Sequence, residues 1–336
     1  MKKAVVRLTL IVLLFSMAVQ PVTAAAGNSS WAVIDADTGR LLDGFNPHEQ
    51  LPIASLTKMW TALTYLESGV TEEETVITPL AASAEGSSIY LEPGSKVKAE
   101  DLLYGLMLRS GNDAAVALAE HAGGSVEGFV RLMNEQAELY QLDNTHFTNP
   151  SGLHDETHLS SAYDTAMMLY YGMKNKEFRK IASAEQYTFR QGGSVVWQNK
   201  HRLVAAETDA VAGKTGFTKA AGRTLATYFE KNGKRVIVVT LNNGNDWNVH
   251  KTLADTAFRT HDVVRIAKKG SYAVLPGVTA ELKQPIELLL TKEERKQTSS
   301  VMRLPTDTET GDTGQWIVML DREPVVTAAV KLKRME

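Results

Sequence analysis

The sequence contains no cysteine among its 336 residues. This absence excludes thiolate nucleophiles, zinc or iron–sulfur sites that need cysteine ligands, disulfide bonds and lipid attachment through a thiol. A nucleophile in this chain must therefore be a hydroxyl, an amine, a carboxylate or a metal-bound water.

The chain also lacks a strong imbalance of charge, and it has no basic block beyond a short one at the N-terminus. Its formal net charge is −3, with 43% hydrophobic and 22% charged residues, which is typical of an ordinary globular protein. This balance argues against nucleic acid or an anionic membrane surface as the main partner. The length leaves room for two domains or one large one.

The pronounced apolar run near the N-terminus, from Leu8 to Val19, is too short to cross the roughly 30 Å hydrocarbon core comfortably as a helix. Residues 1–25 hold three basic side chains and no acidic one, and small residues follow the run. This order predicts a signal peptide over residues 1–25, cleaved after Ala24 or Ala26. The alternative is an uncleaved N-terminal anchor. We expect an exported protein that acts outside the cytoplasm, in the periplasm, in the cell wall or in the medium.

The first half of the chain mixes strand and helix signals. Strand-like runs over 31–34 and 41–45 flank a turn. Apolar residues within 59–66 are spaced as on one face of a helix, and a glycine follows. Residues 101–122 predict two further helices, which are broken at 110–112.

The second half begins with a hairpin and changes character after residue 269. Two apolar runs surround Asn232-Gly233, a strong hairpin signal, and the spacing of apolar residues over 250–268 predicts a helix. Short β-type runs separated by turn residues then follow to the C-terminus. We therefore expect one domain over 26–269 and a small all-β domain over 270–336.

The first chemical motif is Ser55-Leu56-Thr57-Lys58 at the start of an apolar helix. Residues three apart lie on one helix face, so the hydroxyl of Ser55 and the amine of Lys58 can approach each other. Lysine can accept the serine proton only as a neutral amine, which burial or a nearby cation favours. The motif is weak when it stands alone.

Two further motifs carry suitable chemistry. In Ser110-Gly111-Asn112, a hydroxyl and an amide on a tight turn can relay a proton and orient a substrate amide. In Lys214-Thr215-Gly216, a cation and a hydroxyl on a strand edge can hold a carboxylate while the glycine lets a ligand backbone approach.

The three motifs together, in this order and in an exported chain, match the pattern of penicillin-binding proteins and class A β-lactamases. The sequence resembles the low-molecular-weight penicillin-binding proteins that act as serine D-Ala-D-Ala carboxypeptidases, from about Trp31 to the C-terminus. The stretches that add to the resemblance are Pro52-Ile53-Ala54, Arg109, Asn149-Pro150-Ser151-Gly152-Leu153, Ser160-Ser161-Ala162-Tyr163-Asp164 and Ala220-Ala221-Gly222.

The resemblance implies an α/β (α+β) transpeptidase-like domain, with an antiparallel sheet flanked by helices and a helical subdomain, followed by a small β-rich domain. It implies that Ser55 is the acylated nucleophile and that Lys58 accepts its proton. Ser110 would relay the proton to the leaving D-alanine, and Asn112 would hold the substrate amide.

For the third motif, the resemblance implies that Lys214 and Thr215 bind the terminal carboxylate of the substrate. Gly216 admits the peptide backbone, and the backbone N–H groups of Ser55 and Phe217 form the oxyanion hole. The implied partners are D-Ala-D-Ala stem peptides of peptidoglycan and β-lactam inhibitors, with no nucleic acid, metal or organic cofactor. Many members end in an amphipathic membrane helix, but this sequence shows none after its last strand-like run, so we do not expect a membrane anchor.

Other readings stay open at this point. A β-lactamase would need a general base for water, for which Glu156 is the glutamate within the 149–161 loop; Gly111 in place of aspartate favours the carboxypeptidase branch. A DD-endopeptidase that cuts crosslinks and an inactive wall-binding module share the same scaffold. His154 and His158 are four residues apart, as in some zinc sites, but the preceding Asn-Pro-Ser-Gly predicts a loop, so we expect no metal there.

Overall fold

The computed structural model describes residues 29–190, 193–206, 209–305 and 312–334. The predicted signal peptide over 1–25 and its two cleavage positions lie outside the described residues.

The described residues contain helices and strands throughout. The α-helices are α1 (Thr57–Glu67), α2 (Pro79–Ala82), α3 (Ala99–Tyr104), α4 (Asn112–Gly123), α5 (Val126–Leu139), α6 (Ala162–Lys174), α7 (Lys176–Ala182), α8 (Asp246–Thr260) and α9 (Lys292–Gln297). The strands are β1 (Ser30–Asp35), β2 (Leu41–Phe45), β3 (Glu74–Val76), β4 (Lys96–Lys98), β5 (Gln186–Phe189), β6 (Val195–Gln198), β7 (Ala210–Thr218), β8 (Gly222–Lys231), β9 (Lys234–Leu241), β10 (Asp262–Ala267), β11 (Gly270–Leu275), β12 (Val278–Leu282), β13 (Ile286–Leu290), β14 (Thr298–Arg303), β15 (Thr313–Leu320) and β16 (Glu323–Arg334).

The central sheet has five strands in the order β2-β1-β9-β8-β7, and all neighbouring strands are antiparallel. The predicted hairpin is β8–β9, where Asn232 and Gly233 have φ values of 51° and 76°. Positive φ at both central positions matches the twist of the flanking strands. In the strand order given above, β7, which carries the third motif, is an edge of the sheet.

Helices cover both faces of this sheet. In β9, Val236 and Val238 belong to the core beside α8, whereas Ile237 and Val239 belong to the larger core beside α1, α4 and α6. Alternate residues of a strand face opposite sides, so the apolar run over 236–239 contributes to both cores. The result is a helix–sheet–helix sandwich, as expected from the sequence.

The helix predicted over 250–268 is too long. Helix α8 ends at Thr260, and β10 pairs with β13 in an antiparallel ladder from Asp262 opposite Leu290. Residues Val263, Val264 and Ile266 are β-branched, which favours a strand when a partner strand is available. That partner comes from a distant part of the chain, so local spacing could not indicate it.

The C-terminal part forms a second antiparallel sheet in the order β11-β12-β16-β15-β14, with its own apolar core. The C-terminal part contacts the β1–β2 region through two elements. Arg40 Nη1 lies 2.6 Å from Oε1 of Glu294 in α9, and the Leu289 N–H of β13 donates to Asp35 at the end of β1. We propose that the second domain begins with β10, slightly before the boundary predicted at residue 269, because β10 forms a two-stranded sheet with β13 of the C-terminal part.

Among the described residues, none of the helices has both the length and the apolar character needed to cross a bilayer.

Candidate active site

Ser55 lies in a 3-10 turn, Ala54–Leu56, immediately before α1. Ala54 has a φ of 49°, a left-handed conformation that strains a residue with a Cβ atom. Two hydroxyls hold this turn: Thr57 donates to the Ala54 carbonyl at 2.8 Å, and Thr224 of β8 donates to the Ile53 carbonyl at 3.0 Å. The turn thus fixes Ser55 at the junction of the sheet and a helix N-terminus.

Lys58 lies directly beside the serine, with its Nζ 3.0 Å from the Ser55 Oγ. Its side chain is fully buried and also donates to the Ser151 carbonyl. Burial lowers the pKa of Lys58 well below its ordinary 10.5, and the positive charges of Lys214 and Lys200 lower it further. The neutral amine that a proton acceptor requires is therefore favoured.

Ser110 and Lys214 form a second pair. Ser110 has a φ of 65° between the end of a π-helical turn and α4, and Lys214 Nζ donates to its Oγ at 3.0 Å. Lys214 is 1% exposed, and burial, together with the charge of Lys200, lowers its pKa to about 7. The two lysine–serine pairs supply a proton acceptor, a cation and two hydroxyls for one site.

Strand β7 runs closely along the Ser55 turn at Gly216. A Cβ atom on Gly216 would lie 3.0 Å from the Ser55 N and 2.4 Å from the Thr224 Oγ1, so a larger residue would push the strand away from the nucleophile. The next residue, Phe217, is 66% exposed. A ligand can therefore reach the free edge of β7 beside the serine.

Asn112 is the first residue of α4, and its side-chain amide donates to the Glu85 carbonyl. The next residue, Asp113, was not identified from the sequence. Its buried carboxylate accepts hydrogen bonds from the backbone N–H groups of Ile89 and Leu91. An acidic residue in the first turn of a helix is a common feature. The sequence could not show that Asp113 binds the segment that contains Ile89 and Leu91.

The 149–158 loop packs behind Lys58. His158 is buried, and its Nε2 lies 2.8 Å from the Thr57 hydroxyl while its Nδ1 accepts from the Thr148 N–H at 3.1 Å. Burial lowers the pKa of His158 to about 4, so the ring is neutral at physiological pH. By contrast, His154 and Glu156 are exposed. The two histidines of this loop thus occupy different environments.

A cavity of about 350 Å³ joins these groups, with Ser55, Ser110, Thr215, Gly216 and Phe217 in its wall. Five of the eight predicted site residues thus line one cavity, and the buried Lys58 and Lys214 contact its two serines. Asn112 is not in the cavity wall, and its side-chain amide binds the Glu85 carbonyl. Sequence reasoning missed several further wall residues, because they come from separate elements and form no motif: Ser87, Lys200, Arg202, Arg223, Thr224, Asp246 and Trp247.

A buried serine–lysine pair beside a second serine–lysine pair, on an antiparallel sheet flanked by helices, defines the class of serine hydrolases that act through an acyl-enzyme. The family model for D-alanyl-D-alanine carboxypeptidases, Peptidase_S11, matches residues 16–245. The chain belongs to this family.

Relatives of known name agree with this assignment. The chain is 35% identical over 286 residues to D-alanyl-D-alanine carboxypeptidase DacF of Bacillus subtilis. The matched region covers 79% of this chain and 73% of that protein. Penicillin binding protein 5 from Haemophilus influenzae has a similar structure, with a TM-score of 0.76, 25% identity and coverage of 91% of this chain and 96% of that one. Penicillin binding protein 6B from Escherichia coli gives a TM-score of 0.70, 27% identity and coverage of 94% and 98%. The family, fold class and enzyme class predicted from the sequence are confirmed.

Proposed function

We propose that this protein is a serine D-Ala-D-Ala carboxypeptidase that removes the terminal D-alanine from peptidoglycan stem peptides. The observation that carries the proposal is the 3.0 Å contact between the Ser55 Oγ and the Nζ of a fully buried lysine, Lys58. A neutral amine at this distance is a general base for the serine hydroxyl.

Acylation begins when the terminal carboxylate of the peptide binds Lys214 and Thr215 at the edge of β7. The Ser55 Oγ attacks the carbonyl carbon of the penultimate D-alanine while Lys58 takes the hydroxyl proton. The backbone N–H groups of Ser55 and Phe217 stabilise the negative charge that develops on the carbonyl oxygen. Asn112 orients the substrate amide.

The intermediate collapses when the leaving nitrogen receives a proton. Ser110 relays to this nitrogen the proton that Lys58 took from Ser55; the Ser110 Oγ is held 3.0 Å from the Lys214 Nζ and lines the same cavity as Ser55. The C–N bond breaks, D-alanine leaves, and water then hydrolyses the ester on Ser55. No metal or organic cofactor takes part in these steps.

The proposal includes export and inhibition by β-lactams. The basic and apolar pattern of residues 1–25 supports a signal peptide, so we place the enzyme outside the cytoplasm. A β-lactam mimics D-Ala-D-Ala and acylates the same serine.

The test is the reaction of the mature protein with a fluorescent penicillin. We expect a stable adduct on the Ser55 peptide in the wild type and none in Ser55→Ala, while both proteins show the same circular dichroism. Labelling that persists in Ser55→Ala contradicts the assignment. An adduct that disappears within seconds as penicillin is consumed identifies a β-lactamase instead, and an absence of both adduct and turnover favours a wall-binding module.

A further inference from the structure

We propose that the outer part of the active-site cavity is a second anion subsite, which binds a carboxylate on the side chain of the residue released from the substrate. We call it the arginine subsite; its members are Lys200, Arg202, Arg223, Asp246 and Trp247. The proposal rests on the proposed function, because it concerns the leaving group of that reaction.

The subsite is built on an ordered pair of side chains. The Arg223 guanidinium binds Asp246 through two nitrogens, at 2.8 and 3.1 Å, and the Asp246 side chain is only 2% exposed. Two such bonds to a buried carboxylate fix the plane of the arginine. Arg223 lies at the start of β8, opposite Phe217 of β7 in the ladder, and both residues line the active-site cavity.

Trp247 forms the floor between two guanidinium groups. The Arg223 Cζ lies 5.7 Å and the Arg202 Cζ 6.0 Å from the centre of its ring, a distance at which cations are attracted to an aromatic face. The buried His201 ring packs edge-on against the Trp247 ring, with the two centroids 5.2 Å apart. His201 therefore supports Trp247, and Arg202 and Arg223 line the cavity beside it.

The subsite has more positive charge than its own carboxylate can balance. Asp246 pairs with Arg223, but within the described residues neither Lys200 nor Arg202 forms an ion pair with an acidic side chain. The pKa of Lys200 is lowered by partial burial and by the charge of Arg109, as expected where cations face each other. An anionic ligand would relieve this repulsion.

The location identifies which part of the substrate the subsite meets. The terminal carboxylate occupies Lys214 and Thr215, and Thr215, Gly216 and Phe217 line the same cavity as Arg202 and Trp247. The side chain of the released residue therefore extends from the edge of β7 toward the arginines. The methyl group of D-alanine leaves this space open, whereas a D-amino acid with a side-chain carboxylate reaches into it.

Three acyl peptides that differ only in the last residue test the proposal: D-Ala-D-Ala, D-Ala-D-Glu and D-Ala-D-Gln. The mature wild-type chain is used at low ionic strength, and kcat/KM is measured from release of the terminal amino acid. D-Glu and D-Gln have nearly the same shape, so the ratio of their kcat/KM values reports the carboxylate alone. We expect a ratio of about five in favour of D-Glu, the upper range for a solvent-accessible ion pair, and a fall of this ratio toward one in 0.5 M salt.

Arg202→Gln is the decisive variant, and Arg131→Gln on the exposed face of α5 is its matched control for net charge. We expect the D-Glu to D-Gln ratio to fall to about half its wild-type value in Arg202→Gln, in which Lys200 still lines the cavity, and to keep its wild-type value in Arg131→Gln. If D-Ala-D-Ala is hydrolysed but the ratio is one in the wild type, or is the same in both variants, the arginine subsite is wrong. If no D-alanine is released from D-Ala-D-Ala, the proposed function itself fails.

Discussion

At the scale of single residues, the proposed mechanism gives two buried lysines opposite tasks. In that mechanism Lys58 has to be neutral to accept a proton, whereas Lys214 has to be charged to bind a carboxylate. Burial lowers the pKa of both, but the Lys58 amine also experiences the charges of Lys214 and Lys200. A protonated Lys214 therefore helps to keep Lys58 neutral.

This coupling predicts the effect of Lys214→Gln on the pH dependence of acylation. The reaction needs neutral Lys58, so its rate rises with pH through the pKa of Lys58 in the free enzyme. Removal of the Lys214 charge raises that pKa, because a repulsive neighbour is lost. We expect the rising limb of the rate constant for penicillin acylation to move to higher pH, in addition to a lower rate at every pH.

The measurement is the second-order rate constant of labelling by a fluorescent penicillin between pH 4 and 9. Lys180→Gln is the control, because Lys180 is 55% exposed and pairs with Glu100 on the surface. A rising limb at the same pH in wild type and Lys214→Gln would show that the two lysines are not coupled.

The sequence could predict contacts between residues that are close together in the chain. Ser55 and Lys58 are three positions apart at a helix start, so their contact follows from helix geometry. The contact between Lys214 and Ser110 was not predicted: the resemblance implied that both residues belong to the active site, but 104 positions separate them in the chain. Arg202, Arg223 and Trp247 meet only when α8 packs on the sheet, and no motif records that packing.

At the scale of elements, the 149–153 loop fits against the Ser55 turn with little space. Asn149 Oδ1 accepts hydrogen bonds from the N–H groups of Ser151, Gly152 and Leu153. This fold brings Gly152, with a φ of 80°, so close to the turn that a Cβ atom would lie 1.9 Å from the Ala54 carbonyl oxygen. The loop thus depends on glycine for its conformation and for its contact.

Gly152→Ala and Gly69→Ala separate these two requirements. Gly69 has a φ of 78° but nothing within 4 Å of an added Cβ, so the alanine costs only about 1–2 kcal/mol of left-handed strain. Gly152→Ala adds a backbone clash that displaces the Ser55 turn. We expect a larger loss of unfolding free energy in urea and acylation slowed at least about tenfold, which is roughly 1.4 kcal/mol of barrier. Equal losses of stability with normal acylation in both variants would contradict this account.

At the scale of the whole molecule, buried histidines lie on both sides of the central sheet. His158 packs behind the active site, while His201 and His250 are linked through Thr227, whose Oγ1 lies 2.9 Å from the His201 Nε2 and 2.8 Å from the His250 Nδ1. Burial lowers the pKa of His158 to about 4, that of His201 to about 3 and that of His250 well below its ordinary value.

The sequence gives no sign of this arrangement. The sequence places His158 in a loop where no metal is expected, and composition does not reveal which histidines are buried. Burial depends on how α8 and the 149–158 loop pack on the sheet and on α1. The strand content and the hairpin turn, by contrast, followed from local alternation and from Asn232-Gly233.

These histidines predict that the folded protein becomes less stable as the pH falls below about 6.5. The unfolded chain binds protons near the ordinary histidine pKa of 6.5, while the folded chain does not until about pH 4 at His158 and about pH 3 at His201. Protons then favour the unfolded state, and each such histidine removes about 1.4 kcal/mol of stability per pH unit within its window. Between pH 7 and 5, the two together should cost about 4 kcal/mol.

Urea unfolding at closely spaced pH values between 7 and 5 measures this slope, above the range in which most carboxylates titrate. In His158→Gln, whatever the free energy of unfolding at pH 7, its slope with pH should decrease by about 1.4 kcal/mol per unit, because one proton-binding difference is gone. The exposed His154, changed to Gln, is the matched control and should leave the slope unchanged. A slope that is the same in all three proteins would show that His158 takes up its proton equally in the folded and unfolded chain, and that its burial beside Thr57 does not contribute to the acid sensitivity of the fold.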